Sequence, residues 1–241
     1  MQESIHSGKK LFFFDKGYIA EFVYGGIDGA ITTFAVVAGA AGGGLSESVV
    51  IILGMANLIA DGFSMSVGNY LSTKAEVDSY RTHRDLEYWE IENLREVEVQ
   101  EIRDIYAKKG FEGPLLEQVV EVITKDKDVW VDTMMKEELE MTLDAGKTPF
   151  KTALMTFVSF LIIGFIPLLA YVFKGVFHFD SNYLFWYSCV LTAIGLSVVG
   201  YLKAKVTSQG IFKGIVETVA LGGVAAALSY GIGNVLEQWL S

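Results

Sequence analysis

Only one cysteine, three prolines and three histidines stand among the 241 residues. A single thiol, Cys189, excludes an internal disulfide and any cysteine-based zinc cluster. Inside an apolar run it reads as a small packing residue. Positive charge is also in short supply: 19 Lys+Arg face 29 Asp+Glu, a net charge of −10. Such a chain lacks the basic face that nucleic acid requires. No P-loop, Gly-x-Ser-x-Gly or His-Glu-x-x-His motif occurs, and no internal repeat is evident. The glycines at 42–44 follow no strand, so a phosphate cradle has little support. A cleavable signal peptide is not evident either: the lead through Lys9, Lys10 and Lys16 is polar, and the first apolar run is too long for a signal core.

What the chain has in abundance is apolar length. It is 51% hydrophobic with mean hydropathy +0.38. A membrane helix needs about 20 residues, and five runs qualify, near 19–42, 47–72, 150–173, 183–203 and 212–236. Between the second and third lies a charged block, residues 73–148. It holds 20 of the 29 acidic residues and 11 of the 19 basic ones, a net of −9. The remainder is therefore nearly neutral and suited to lipid. The expected architecture is an all-α membrane protein, with residues 1–72 carrying spans one and two. Residues 73–148 form an acidic helical insertion, and 149–241 carry spans three to five.

Lys and Arg set membrane orientation. Lys9, Lys10 and Lys16 precede the first span, and Lys203, Lys205 and Lys213 surround the turn after the fourth. The 42–47 turn and the C-terminal tail have no basic residue, and the 174–182 loop has only Lys174. This alternation places the N-terminus and the acidic block in the cytoplasm and the C-terminus outside.

Two spans carry polar groups that lipid would penalise. Asp28 lies inside the first, where a central carboxylate costs about 2.5–3.5 kcal/mol on insertion scales. It should face a partner or a water-filled path. Glu21 is two turns earlier on the same face, as a pathway residue or an interfacial one. The second span carries Asn57, Asp61, Met65 and Asn69 at intervals of four, a polar stripe on one side. Between Asp61 and Asn69, Met65 becomes a candidate thioether contact for a transition metal. Elsewhere the signals are weaker. Pro167 marks a kink, and His178 and Asp180 read as loop residues. His83 reads as a surface residue, and Glu217 could pair with Lys213 or carry a proton.

Past Leu71-Ser72 no Pro or Gly interrupts the second helix, which should continue to about Glu92. Asn93 with Glu96 resembles a capping box for a helix ending near Lys109 and Gly110. Pro114 opens a short helix near 114–124, and a last one should run from about Lys127 to Ala145, stopped by Gly146 and Pro149. Ile102, Ile105, Leu116, Val119, Val120, Val129, Trp130 and Leu139 supply the expected core. Glu87 and Glu90 share one helical face, as do Glu98 and Glu101. If the chain folds back near Asn93, both pairs converge. Met134 and Met135 precede Glu138 by four and three residues. Clustered carboxylates repel until a cation neutralises them, so an empty site should titrate high. Oxygen ligands suit magnesium, calcium or manganese, and thioethers shift the preference towards softer first-row metals.

At these residues the chain resembles the vacuolar iron transporter family, including its bacterial relatives. The insertion's E-x-x-E, second E-x-x-E and M-M-x-x-E correspond to Glu87 with Glu90, Glu98 with Glu101, and Met134, Met135 with Glu138. Asp28-Gly29 and Ser64-Met65 match the family's first and second spans. Ile27 stands where many relatives have Asn, and Asn69 where many have an acid. The resemblance implies a homodimer whose first two spans line a central path through the bilayer. It also implies export of ferrous iron (Fe2+), or of manganese, cobalt or zinc, from the cytosol in exchange for protons, with no permanently bound cofactor. The membrane would be the inner one of a bacterium or the vacuolar one of a eukaryote. The alternatives are a membrane-anchored di-iron oxidase, disfavoured because the block lacks Glu-x-x-His, and a metal-buffering or sensing protein, disfavoured by intramembrane Asp28 and Asp61.

Overall fold

The computed structural model describes residues 18–143 and 147–240. The readings that rest on residues 1–17 (His6, Lys9, Lys10 and Lys16) and on 144–146 (Gly146 as a helix stop) lie outside the described residues. Every regular element among the described residues is helical. Two compact units result: one of residues up to Leu71 and from Lys147 onward, the other Ser72–Gly146.

Five helices are long and apolar enough to cross a membrane. The first is α1 (Ile19–Gly42), closed by Gly43 and by Gly44 at φ +63°, a left-handed turn open to glycine at little cost. The second lies in α2 (Glu47–Asn93), which continues unbroken past Ser72 as its sequence implies. The third spans Pro149–Val172 and is interrupted. Its first part, α6 (Pro149–Gly164), gives way to a single 3-10 turn at Ile166–Leu168 and then to α7 (Leu169–Val172). Pro167 sits in that turn, where the Pro167 carbonyl accepts a 2.6 Å hydrogen bond from Ser188 Oγ. The kink thereby keeps its backbone satisfied inside the bundle. A short α8 (Lys174–Phe177) leads to α9 (Leu184–Val206), and α10 (Ile211–Leu240) ends the chain.

Within this unit α1 packs against α6, α9 and α10, and glycine sets the approach. A Cβ at Gly29 would lie 2.6 Å from the Phe160 carbonyl oxygen, and one at Gly233 only 2.1 Å from that of Gly39. Small residues let membrane helices approach backbone to backbone, where dispersion rather than water exclusion drives association. Beside the α1–α2 turn, Lys174 Nζ reaches both Glu47 carboxylate oxygens at 2.8 Å. Near the other end, Lys203 Nζ of α9 lies 3.1 Å from Glu217 of α10, and Lys213 stands farther off at 3.9 Å. The i,i+4 spacing suggested Lys213; the closer cation comes from the neighbouring helix.

The second unit combines the end of α2 with α3 (Arg95–Lys108), α4 (Gly113–Lys125) and α5 (Lys127–Glu137). Its core is Ile91, Ile102, Val120, Ile123, Trp130, Val131, Met134 and Met135. Ile105, Leu116, Val119 and Leu139 pack around it, whereas Val129 is 47% exposed, against expectation. Pro114 stands in the first turn of α4, where its missing N–H costs nothing. Asp126 caps α5 by accepting from the Asp128 and Val129 amides.

Two local expectations need correction. Asn93 does not cap α3: it is the last residue of α2, its amide donates to the Trp89 carbonyl, and Leu94 is the junction. An Asn side chain can satisfy the carbonyl behind it as readily as the amides ahead. The last helix stops at Glu137 rather than near Ala145. The Met134 carbonyl accepts from the Glu138 and Leu139 amides, and Met141 N donates to Met135 O at 2.8 Å. With Glu140 at φ +51°, this reversal returns Leu139 and Met141 to the core. A straight helix would have carried them off. Pro149 accordingly begins α6 instead of ending its predecessor.

Candidate functional site

In the bundle, the α2 stripe lies between a packed and an open face. Gly54 and Gly62 face Leu168 and Phe160 at distances that leave no room for a Cβ without rearrangement. Ser66 Oγ donates to the Ala153 carbonyl at 2.9 Å, and Asn69 Nδ2 to Thr156 Oγ1 at 2.7 Å. Ala56, Ala60, Ser64 and Gly68 are exposed, and a Cβ at Gly68 would meet nothing. Between the two faces Asn57, Asp61, Met65 and Asn69 are all half-buried. Asn57 Nδ2 is buried without a hydrogen-bond partner among the described residues.

Asp28 of α1 is half-buried, and its charge and that of Asp61 act on each other. Neither carboxylate is among the ion pairs of the described residues, unlike Glu47 and Glu217. Glu21, 9% exposed, has Oε1 2.9 Å from Lys147 Nζ, while its Oε2 is buried without a hydrogen-bond partner among the described residues. Sequence reading missed Lys147, Ser66 and Thr156. The last was visible as part of a polar row, Thr152, Thr156 and Ser159, on an otherwise apolar helix.

In the second unit, Glu87 and Glu90 come from the end of α2 and Glu98 and Glu101 from α3; Glu138 follows α5. The reversal at Leu94 brings these groups within electrostatic reach of one another. Glu87 and Glu98 are only 3% and 4% exposed, and each has a buried Oε2 without a hydrogen-bond partner among the described residues. Burial, then the neighbouring carboxylates, pushes both up to about 7. Glu101 and Glu138 are raised for the same reasons, desolvation leading. Four of the unit's cations pair with other acids: Lys127 with Glu92, Arg103 with Glu117, Lys109 with Glu137 and Arg84 with Asp132.

Met134 and Met135 are 0% and 1% exposed and belong to the hydrophobic core beside Trp130. Their spacing to Glu138 suggested ligands; their burial makes them packing residues first. As the side chains stand, no three His, Cys, Asp or Glu groups among the described residues are grouped to hold one metal ion. The arrangement is a set of converging carboxylates with orphaned oxygens, which favours protons or cations.

Five apolar membrane-length helices, with Asp28 and Asp61 inside the first two, define a multi-pass helical membrane protein. The sequence profile of the VIT family matches residues 19–234. A vacuolar iron transporter of Toxoplasma gondii is 35% identical over 91% of this chain and 74% of its own length. One from Plasmodium berghei is 34% identical over 92% and 84%, and vacuolar iron transporter 1 of Eucalyptus grandis is 29% identical over 98% and 94%. The chain belongs to the VIT family.

Proposed function

We propose that the protein carries divalent transition metal, ferrous iron first, out of the cytosol in exchange for protons. The observation that carries the reading is that Asp28 and Asp61 lie within electrostatic reach of each other on two membrane-length helices, with Met65 one turn beyond Asp61 and no ion pair for either acid among the described residues. Lipid would expel such charges, so a mobile cation is the natural counter-charge. Family membership and the names of the relatives point to iron as cargo. Manganese, cobalt and zinc are further substrates that the same oxygen and thioether donors would accept.

The working unit in this reading is a homodimer. The exposed row Ala56, Ala60, Ser64 and Gly68 permits close approach by a second copy. That approach would turn two half-buried α2 stripes towards one another and shield them from lipid. Asp28 and Met65 from both protomers would then receive the ion, and metal and protons would compete for the same carboxylates. Asn57 and Asp61 would line the path, with Glu21 at its mouth.

The acidic unit would serve as the cytosolic collector. Glu87, Glu90, Glu98, Glu101 and Glu138 are its oxygen donors, and the orphaned oxygens of Glu87 and Glu98 suit a cation. Capture requires these side chains to rotate inward. Met134 and Met135 would contribute sulfur only if the core beside them opens.

The test is uptake into proteoliposomes from a panel of ferrous, manganous, cobalt and zinc salts under an imposed pH gradient. Saturable uptake driven by an acidic interior supports the proposal; impermeable vesicles reject it.

A further inference from the structure

Helices α9 and α10 approach backbone to backbone where Gly200 meets Gly214: a Cβ on Gly200 would lie 2.8 Å from the Gly214 carbonyl oxygen. Towards the end where α9 begins, the two helices leave a cleft of about 590 Å³. Its size falls within the range of about 300–1,000 Å³ typical of small-ligand sites. Small residues create it: a Cβ on Gly223 would meet nothing within 4 Å. Phe34 of α1, Phe185 and Trp186 of α9 and Tyr230 of α10 are among its lining residues. Three of these rings form a continuous stack, Phe34 on Phe185 at 6.4 Å and Phe185 on Tyr230 at 5.5 Å between centroids.

Polar atoms are few in this lining: the Trp186 indole, the Cys189 thiol, the Tyr230 hydroxyl and, deepest in the span of α9, Thr192. Thr192 borders the cleft, is 1% exposed, and its Oγ1 is buried without a hydrogen-bond partner among the described residues. It lies eight residues into α9, about 12 Å along the axis at about 1.5 Å per residue. That depth is close to the middle of a hydrocarbon core about 30 Å thick. Phospholipid ester groups sit at the interface, so an ordinary acyl chain would leave the hydroxyl unmet. An unmet buried hydroxyl is costly, and an empty apolar cleft forfeits dispersion contacts.

We infer that this cleft binds a lipid-soluble ring compound with a carbonyl acceptor, the chemistry of a membrane quinone head. The ring would extend the Phe34–Phe185–Tyr230 stack, the carbonyl would accept from Thr192 Oγ1, and an apolar tail would leave towards lipid. The inference concerns α9 and α10 and is independent of the transport reading.

The test uses the full-length protein in lipid nanodiscs titrated with decylubiquinone and read by tryptophan emission. The expected result is saturable quenching that Trp186→Phe largely removes. Thr192→Val, which keeps the shape and removes the donor, should weaken binding by up to about tenfold, the worth of one hydrogen bond. Gly223→Leu should abolish it by filling the cleft. Thermal melting of both variants confirms that they remain folded. Quenching that rises linearly and equally in wild type and Gly223→Leu is partition into the bilayer and overturns the inference. So does wild-type affinity in folded Thr192→Val, or native mass spectrometry showing that phospholipid holds the cleft against added quinone.

Discussion

The membrane bundle and the acidic unit hold themselves together by opposite means. In the bundle, cohesion comes from missing side chains: Gly29 against Phe160 and Gly233 against Gly39 bring backbones together. In the acidic unit it comes from large ones: Trp130, Ile102, Met134 and Met135 fill a water-excluding core. The solvent explains the contrast. Lipid offers no hydrophobic gain for burying Leu, so close packing must supply the attraction; water rewards every apolar surface removed from it. Both units nevertheless keep acids that form no ion pair among the described residues where charge is penalised, Asp28 and Asp61 in one, Glu87 and Glu98 in the other.

The comparison breaks most sharply at Gly29. Gly29→Val should prevent a stable bundle, because the new atoms would clash with Phe160 backbone rather than with a side chain that can swing away. Size-exclusion profiles in detergent should show loss of the monodisperse species. Trp130→Ala is the converse test, removing bulk where bulk is the glue. It should destabilise the acidic unit by about 3–5 kcal/mol. Hydrogen exchange should then accelerate in α3–α5 while the bundle keeps its protection.

The carboxylates sharpen the contrast through pH. Glu87 and Glu98 titrate near 7 when folded, above the ordinary 4.5. Between those values the folded unit therefore binds more protons than the unfolded chain. Their contribution to stability is fully present below about 4.5 and is lost as pH rises through 7. Metal-free protein should thus show smaller protection factors in this unit, taken against the intrinsic exchange rate at each pH, at pH 8 than at pH 5.5. Replacing Glu87, Glu90, Glu98 and Glu101 together by Ala should flatten that dependence and lower calorimetric affinity for ferrous or manganous ion. An unchanged pH profile and affinity would remove the collector role. The smallest effect is expected at Lys174→Ala, which opens a partly exposed pair with Glu47. Surface pairs of this kind are worth about 0–1 kcal/mol, so the melting temperature should move by a few degrees at most.

Periodic features of the fold were legible in the sequence, and local reversals were not. The five apolar runs and the unbroken passage of α2 beyond Ser72 follow from hydropathy and from the lack of a breaker. The stop at Glu137 does not, because Glu138–Leu143 contains no Gly or Pro, and tertiary attraction of Leu139 and Met141 to the core decides it. Asn93 could cap forwards or bond backwards, and only the Trp89 carbonyl settles which. At the candidate site, spacing put Glu87 with Glu90 and Glu98 with Glu101 on shared helical faces, but their convergence depended on a fold-back near Asn93 that spacing alone does not show. It could not distinguish a thioether ligand from a core methionine, since both lie at i,i+3 or i,i+4 from Glu138. Lys147 beside Glu21 and Lys203 beside Glu217 were missed because such partners are distant in sequence.

The most direct test of the central claim follows ferrous ion and protons together in liposomes holding wild type or Asp28→Asn, each first shown to be folded. Ferrous entry into acid-loaded vesicles should coincide with proton exit in wild type, and both fluxes should fall to the protein-free rate in Asp28→Asn. Wild-type fluxes through Asp28→Asn would contradict the account.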